Sequence, residues 1–422
     1  MEYDARGRIT TKTDRNGNKT TYGYDNADNL ILVTDAAGGT YHYTYNETYG
    51  LTAVTDAGGN TTRYEYDGEG RLVKSTNALG NSTGFSYDTE GNLTAYTDYA
   101  GNRKEYLYDE AGRLEKTVDA GGETVYTYDT LGRLMKVTDD MGTISYTYDE
   151  YSRISAKDTY DLGTIVYSYD SYGRVGSITT KVNGIETGTT SYEYDRMDRI
   201  VRIIAHDGTA TVYEYDAIGN RTAVRHEGGL TVSYEYDTCS RLINEIVTDK
   251  DSNVLMFYHY TYGNAGEKTQ AVEVVREFAK DTTVTVICND YSYDNLLRLT
   301  GETIQVAENV PFDTVVKGTV ADGDSNTEST NTIDITGITW DGSIVNQYTY
   351  DAVSNRIGKV TTVNGTVYEM ADSIETGTTV YTYNELNQLI SAANGDTTIT
   401  YTYDINGNLV SEHGGSEDKT WW

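Results

Sequence analysis

Runs of Tyr, Val, Leu and Thr alternate with polar residues along most of the chain, and clusters of Asp, Asn and Gly interrupt each run. In Thr124-Val125-Tyr126-Thr127-Tyr128 the two Tyr fall on one face of an extended segment and Thr127 on the other. An amphipathic helix needs apolar residues at i, i+3 and i+4, which the Tyr-x-Tyr spacing refuses. The pattern predicts short strands joined by tight turns, and therefore an all-β protein.

The pattern is also periodic. Tyr-x-Tyr-Asp-x-x-Gly-Arg-Leu recurs in register, with clear copies at Tyr64, Tyr66, Asp67, Gly70, Arg71, Leu72, at Tyr106, Tyr108, Asp109, Gly112, Arg113, Leu114, and at Tyr126, Tyr128, Asp129, Gly132, Arg133, Leu134. Anchored on the Asp position there are 17 copies, from Asp4 to Asp404, and the first nine are 20 or 21 residues apart. A second punctuation lies midway, as in Asp14-Arg15-Asn16-Gly17-Asn18 and Asp98-Tyr99-Ala100-Gly101-Asn102. Asp bonds the backbone two residues on, and Gly supplies the positive φ of a tight turn. Two turns and two strands per period describe tandem antiparallel β-hairpins. Arg just after the turn is placed to cover a Tyr ring of a neighbouring strand or to pair with the Asp before it. The Tyr pairs are expected to stack into ladders across successive hairpins and to replace an aliphatic core.

Residues 1–174 hold the regular periods. Over 175–422 the spacing loosens, and the largest insertion spans about 300–347 with the only proline, Pro311. It reads as one or two strand pairs with a polar loop, and residues 271–288 as a longer hairpin of the same sheet. These insertions are expected to protrude from the sheet edge. No linker divides the chain, so 1–422 reads as one repeat array.

Composition narrows the function. The 33 basic and 65 acidic residues leave a net charge of −32, which phosphate backbones and anionic lipid surfaces repel. Binding of nucleic acid through a basic patch is excluded as a default. No apolar run is long enough to span a membrane, and the first residues carry no signal-peptide pattern. Tyr supplies 41 residues against 4 Phe and 3 Trp, and this strand-favouring bias argues against disorder. Cys239 and Cys288 are too few for a disulfide framework and have no C-x-x-C spacing; two inert thiols are favoured over a single bridge.

Candidate chemistry is sparse. His42, His206, His226, His259 and His413 lack partners at metal-ligand spacing, and His42 and His259 fill Tyr-like slots in strands. Asp249-x-Asp251-x-Asn253 and Asp322-x-Asp324-x-Asn326-x-Glu328 mimic calcium loops, without Gly at the sixth position or Glu at the twelfth. Gly68-x-Gly70 is turn chemistry with no helix to open. No catalytic, cofactor-binding or metal-binding residue is assigned, and no cofactor is expected. Rows of Tyr with Asp and Asn between them also suit a sugar-binding face, so a glycan-binding or adhesive stalk is the alternative reading.

The Tyr-Asp signature with its x-x-Gly-Arg-Leu tail resembles the YD repeat of Rhs proteins, which include bacterial polymorphic toxins, wall-associated proteins, toxin-complex C components and teneurins. The resemblance runs from Tyr3 to Leu409. It implies a long sheet spiralling into a hollow shell around a C-terminal effector, often a nuclease or another toxin, in a secreted or cell-surface protein. Members that release their effector carry an Asp-Pro cleavage motif, whereas Pro311 follows Val310. The sequence therefore reads as a non-enzymatic shell segment whose partner is an effector or the remaining shell. Open sheet ends are expected to favour self-association, limited by the charge.

Overall fold

The computed structural model describes residues 1–276, 282–317, 332–365, 376–414 and 418–420. They form one antiparallel sheet of 35 strands in which each strand pairs with its neighbours along the chain. A regular period contains a strand such as Thr61–Tyr66, the turn at Asp67, a strand Leu72–Thr76, and a second turn before Ser82–Tyr87. The expected tandem hairpins are present, including the longer pair Lys268–Val275 and Thr283–Tyr293.

Each Asp-centred turn ends in a β-bulge. Glu65 faces Lys74 and Tyr66 faces Leu72, so Val73 is left unpaired and the strand bends. The third residue after the Asp adopts positive φ, as at Gly112 (73°) and Gly132 (82°). Where Gly is replaced the conformation persists, at Tyr49 (64°) and Leu297 (59°). The surrounding turn therefore imposes the left-handed conformation, and glycine only lowers its cost.

Side-chain alternation gives the sheet two unlike faces. In Thr40–Tyr45 the residues Tyr41, Tyr43 and Tyr45 are half-buried while Thr40, His42 and Thr44 are exposed. The coil brings distant periods together along one seam. Asn16 Nδ2 donates to Glu267 Oε1 at 3.1 Å, and the Ala100 N–H donates to Asn406 Oδ1 at 3.2 Å. Asn406 Nδ2 also donates to Asp98 Oδ2 at 2.8 Å. Between these points Gly58 sits against Val353, and Leu79 and Asn81 share a cleft with Leu386 and Gln388. Midway turns of the first, third, fourth and fifth periods thus meet Asp-centred turns of the thirteenth, fifteenth, sixteenth and seventeenth. One turn of the coil takes twelve periods.

The 300–347 insertion departs from expectation. Its outer parts are long strands of the main sheet, Leu299–Pro311 and Gly342–Tyr350, which pair with each other. The described residues of its middle, 312–317 and 332–340, do not protrude from the edge but fold back over the sheet. The short helix Phe312–Val315 and the strand pair Val316–Lys317 and Thr332–Ile333 bring Val315, Val316, Ile335, Ile338 and Trp340 onto Ile246, Phe257, Val272, Val274 and Val286. By alternation Phe257 lies on the face opposite Tyr258 and Tyr260. The expectation that Tyr ladders would make an aliphatic core unnecessary fails here, because long Val- and Ile-rich strands expose an apolar face that needs a cover.

Phe257 is fully buried in this cluster. Phe257→Ala is expected to destabilise the sheet by about 3–5 kcal/mol through lost contacts and a residual cavity. Urea unfolding followed by circular dichroism, with hydrogen exchange over Val272–Val286 as the local readout, checks this.

Candidate functional site

At the turns that keep both Asp and Arg, the signature residues converge on the same unit. Asp67 Oδ1 accepts the N–H groups of Glu69 (3.0 Å) and Arg71 (2.9 Å), while Oδ2 accepts Arg71 Nε at 2.7 Å. The backbone closes beneath it, with the Gly70 N–H on Asp67 O at 3.1 Å. Asp109 with Arg113 and Asp129 with Arg133 repeat the arrangement, each with a 2.7 Å bond from Nε to Oδ2.

From there the unit reaches into the next period. Arg71 Nη1 donates to Asp88 O at 3.0 Å, and its guanidinium lies 4.9 Å from the Tyr87 ring centre. Tyr87 Oη then donates back to Leu72 O at 2.9 Å. Arg113 covers Tyr128 at 4.7 Å and Arg133 covers Tyr148 at 4.5 Å in the same way. The hydroxyl-to-carbonyl bond recurs from Tyr24 on Ile9, through Tyr66 on Leu51, Tyr108 on Leu93 and Tyr128 on Leu114, to Tyr383 on Arg356. Leu72, Leu114 and Leu134 pair with Tyr66, Tyr108 and Tyr128 across the turn.

The expected ladder of stacked phenols is therefore corrected in one respect. Among the described residues the ring–ring contact is Phe85 with Tyr96, 5.3 Å between centres. In many periods a guanidinium sits against a Tyr ring instead, on the second Tyr of the pair at Tyr87, Tyr128, Tyr148 and Tyr169 and on the first at Tyr234 and Tyr381, since a ring face attracts a cation. The first Tyr, as at Tyr64, Tyr106 and Tyr126, is half-buried and faces Ser75, Thr117 and Val137.

The electrostatics follow from this wiring. Asp67 is held below the usual carboxylate range, first by the Arg71 N–H and then by its guanidinium; for Asp109 the Arg113 guanidinium leads. Burial pushes the phenols of Tyr108 and Tyr128 up. Burial is again the main cause at Tyr260 and Tyr348, which are pushed up to about 12.

Other sequence candidates fall elsewhere. His259 Nδ1 lies 2.7 Å from Asn244 Oδ1, and burial lowers its pKa. His226 meets Thr211, and His413 lies near Asp418. Asp249 Oδ1 accepts the N–H groups of Asp251 and Asn253, so this calcium-like run is an ordinary midway turn. The run from Asp322 to Glu328 lies outside the described residues. Cys239 and Cys288 are both free thiols, the first exposed and the second buried and pushed up to about 11. No group of three metal-ligating side chains is found among the described residues. Sequence reasoning missed the seam, although the midway turns of the first five periods, Asp-x-x-Gly-Asn in the first, third and fifth, were visible.

Two predictions follow from the unit. Tyr128→Phe keeps the ring under Arg113 but removes the bond to Leu114 O, costing about 1 kcal/mol, whereas Arg113→Ala removes the ion pair and the ring contact together and is expected to lower the melting temperature further. Thermal unfolding of the two variants ranks them.

The second concerns pH. A carboxylate with lowered folded pKa contributes stability above its unfolded value, near 4, and loses it as pH falls through the folded value. For the raised tyrosines both states stay protonated below about 10, and between about 10 and 12 only the unfolded chain ionises. The melting temperature is therefore expected to be flat between about pH 7 and 8 and to fall on both sides, with His259, whose pKa burial lowers, adding to the loss below about 6.5, and Cys288 to the loss above about 8.5. Melting curves across pH check this, and an unchanged midpoint at acid pH contradicts the assigned role of the Asp residues.

Comparison with known proteins agrees with this geometry. The RHS Repeat family matches residues 3–40, and the Teneurin YD-shell family matches residues 37–167 and 160–245. Among solved structures, the Photorhabdus luminescens Tc holotoxin pore with a TccC3 substitution aligns at 15% identity and a TM-score of 0.50, covering 99% of this chain and 26% of that one. The TcdB2-TccC3 crystal structure aligns at 15% identity and a TM-score of 0.49, covering 99% and 27%. The chain thus spans about a quarter of the length of the chains it matches. No curated protein matches it. On its repeat, its wiring and these family matches, the chain belongs to the Rhs/YD-repeat family.

Proposed function

We propose that this chain is a non-enzymatic wall segment of an Rhs-type shell that encloses or presents an effector. The observation that carries the reading is the seam. A strip of sheet whose later turns rest on its own earlier turns makes a wall, whereas an open ribbon would leave both edges free along its whole length. The repeated carboxylates support a structural role, since they are spent within their own turns, on one or two backbone N–H groups and, in the signature copies, on an Arg or Asn side chain. On this reading residues 1–422 are one array, regular to 174 and interrupted beyond it. It works outside the cell, and its main partner is the effector or the rest of the shell. A wall carrying −32 suits a basic cargo.

Limited proteolysis of the chain, produced together with its adjoining native sequence and its effector, tests the proposal. The effector is expected to resist cleavage until the wall is denatured. Digestion at the rate of the free effector overturns the reading.

A further inference from the structure

The seam is not closed equally along its length. Its first and fifth midway turns are tied across by Asn16 and Asn406, and its third touches Val353. At the fourth, Asn77 to Asn81, it opens into a cleft of about 440 Å³ against the turns at Asn384 and Asp404. That volume lies within the range of ordinary ligand sites. Side chains of Leu79, Leu386, Ile390 and Ile405 line the cleft, together with those of Tyr401 and Tyr403.

Two departures from the repeat leave polar groups unspent at this place. From Tyr24 to Tyr383, the second Tyr of each pair donates its hydroxyl to a backbone carbonyl of the period before it. Tyr403 does not. Its hydroxyl has no hydrogen bond among the described residues, and no guanidinium covers its ring. The signature Arg that would cover it is Gln388, whose amide is held by Asn384 and reaches Gly407 O at 3.4 Å.

The second departure is Asn77, which stands where the first, third and fifth midway turns have Asp14, Asp56 and Asp98. In those turns the second carboxylate oxygen accepts the amide of the Asn four residues on, at 2.9, 3.1 and 2.9 Å. Asn77 offers an amide nitrogen there instead. This Nδ2 is buried without a hydrogen-bond partner, in a residue only 6% exposed. Four residues on, Asn81 lines the cleft, and its side chain makes no bond among the described residues. Once its oxygen turns back to satisfy Asn77, Asn81 presents its own Nδ2 to the cleft.

We propose that this cleft is a binding site for a neutral saccharide. A pyranose lays its C–H face on phenol and aliphatic side chains, and its hydroxyls bond amides and phenols at the rim. The cleft supplies both, with an uncovered Tyr403 ring, the phenol hydroxyls and the Asn81 amide. Charge selects against other ligands. No Lys or Arg lines the cleft, and a chain at −32 repels anions. Asp404, the one acid among the lining residues, already accepts the N–H and the amide of Asn408, so a cation finds no free carboxylate. Rows of Tyr suit a sugar by composition, but along the sheet they are spent on the wall itself. At Tyr403 one is left over. The inference needs the seam and no particular content of the shell.

Isothermal titration calorimetry of the whole chain with cellobiose, lactose and chitobiose as neutral probes, and glucuronic acid as an acidic one, tests this. At least one neutral disaccharide is expected to bind at one site per chain, and glucuronic acid is expected not to bind. Tyr403→Ala and Leu79→Asp are each expected to weaken binding about tenfold or more. A double variant, Asn384→Asp with Gln388→Arg, restores the signature. Its guanidinium is expected to take the face of Tyr403 as Arg298 takes that of Tyr350, 4.8 Å from the ring centre. Binding is then lost while the melting temperature is kept or raised, a combination that misfolding does not produce. A chain that binds none of the neutral probes overturns the proposal. So does one that binds glucuronic acid as tightly, or whose double variant binds like the unmodified chain.

Discussion

The structure depends on one carboxylate with two jobs. Where Asp is followed at the fourth residue by Arg, one of its oxygens closes the turn by accepting the N–H groups at the second and fourth residues, and the other orients that Arg. Because that Arg is held at its root, its far end can reach the next hairpin at little entropic cost, where it meets a backbone carbonyl and a Tyr ring. Turn formation and hairpin association are thereby coupled. This is how a sheet that is 37% apolar, with Tyr as its main aromatic, holds together over most of its length without a second layer.

The same coupling explains where a second layer is needed. Between Ile246 and Val286 the strands lengthen beyond the reach of the turn-proximal units, and their middles become Val- and Ile-rich on one face. Arg and Tyr near the turns cannot shield residues so far from them. The insertion after Pro311 supplies the cover, burying Val315 fully and Val316 nearly so. Length of strand and presence of a cap are two sides of one constraint.

Much of this was legible in the sequence, and for a physical reason. Turn chemistry and strand alternation are local, so the hairpins, the shared face of the Tyr pairs and the role of Asp, Gly and Arg could be read from spacing alone. What escaped is what depends on distance in space. Nothing near Asn16 announces Glu267, and nothing near Gly58 announces Val353; their meeting follows from twist accumulated over twelve periods. The insertion was misplaced for a related reason. Its apolar residues, from Val315 to Trp340, gain meaning only once the partner face of Phe257 and Val274 is known. The Tyr ladder was half right: the spacing gave the face, but whether a ring meets a ring or a guanidinium is decided between periods.

Exceptions to the signature show which part of it the fold requires. Asn replaces Asp at residue 46, where the fourth residue is Gly50, which gives Asn46 Oδ1 its backbone N–H at 2.7 Å but has no side-chain donor. It does so again at residue 384, where Asn384 Nδ2 donates to Gln388 Oε1 at 2.6 Å. At residue 263 the motif is inverted. Gly263 leaves room for the Glu267 carboxylate to fold back into the space an Asp side chain would occupy, so close that a Cβ on Gly263 would collide with it. The N–H groups of Glu267 and Ala265, the two that a turn Asp takes elsewhere, help hold that carboxylate below its usual range. Asp, Asn or a borrowed Glu thus put an oxygen on the same pair of N–H groups, and the residue at the fourth position changes with the choice. The oxygen at that point in the turn is the invariant of the repeat, and the identity of the residue supplying it follows from what the next hairpin needs to be offered.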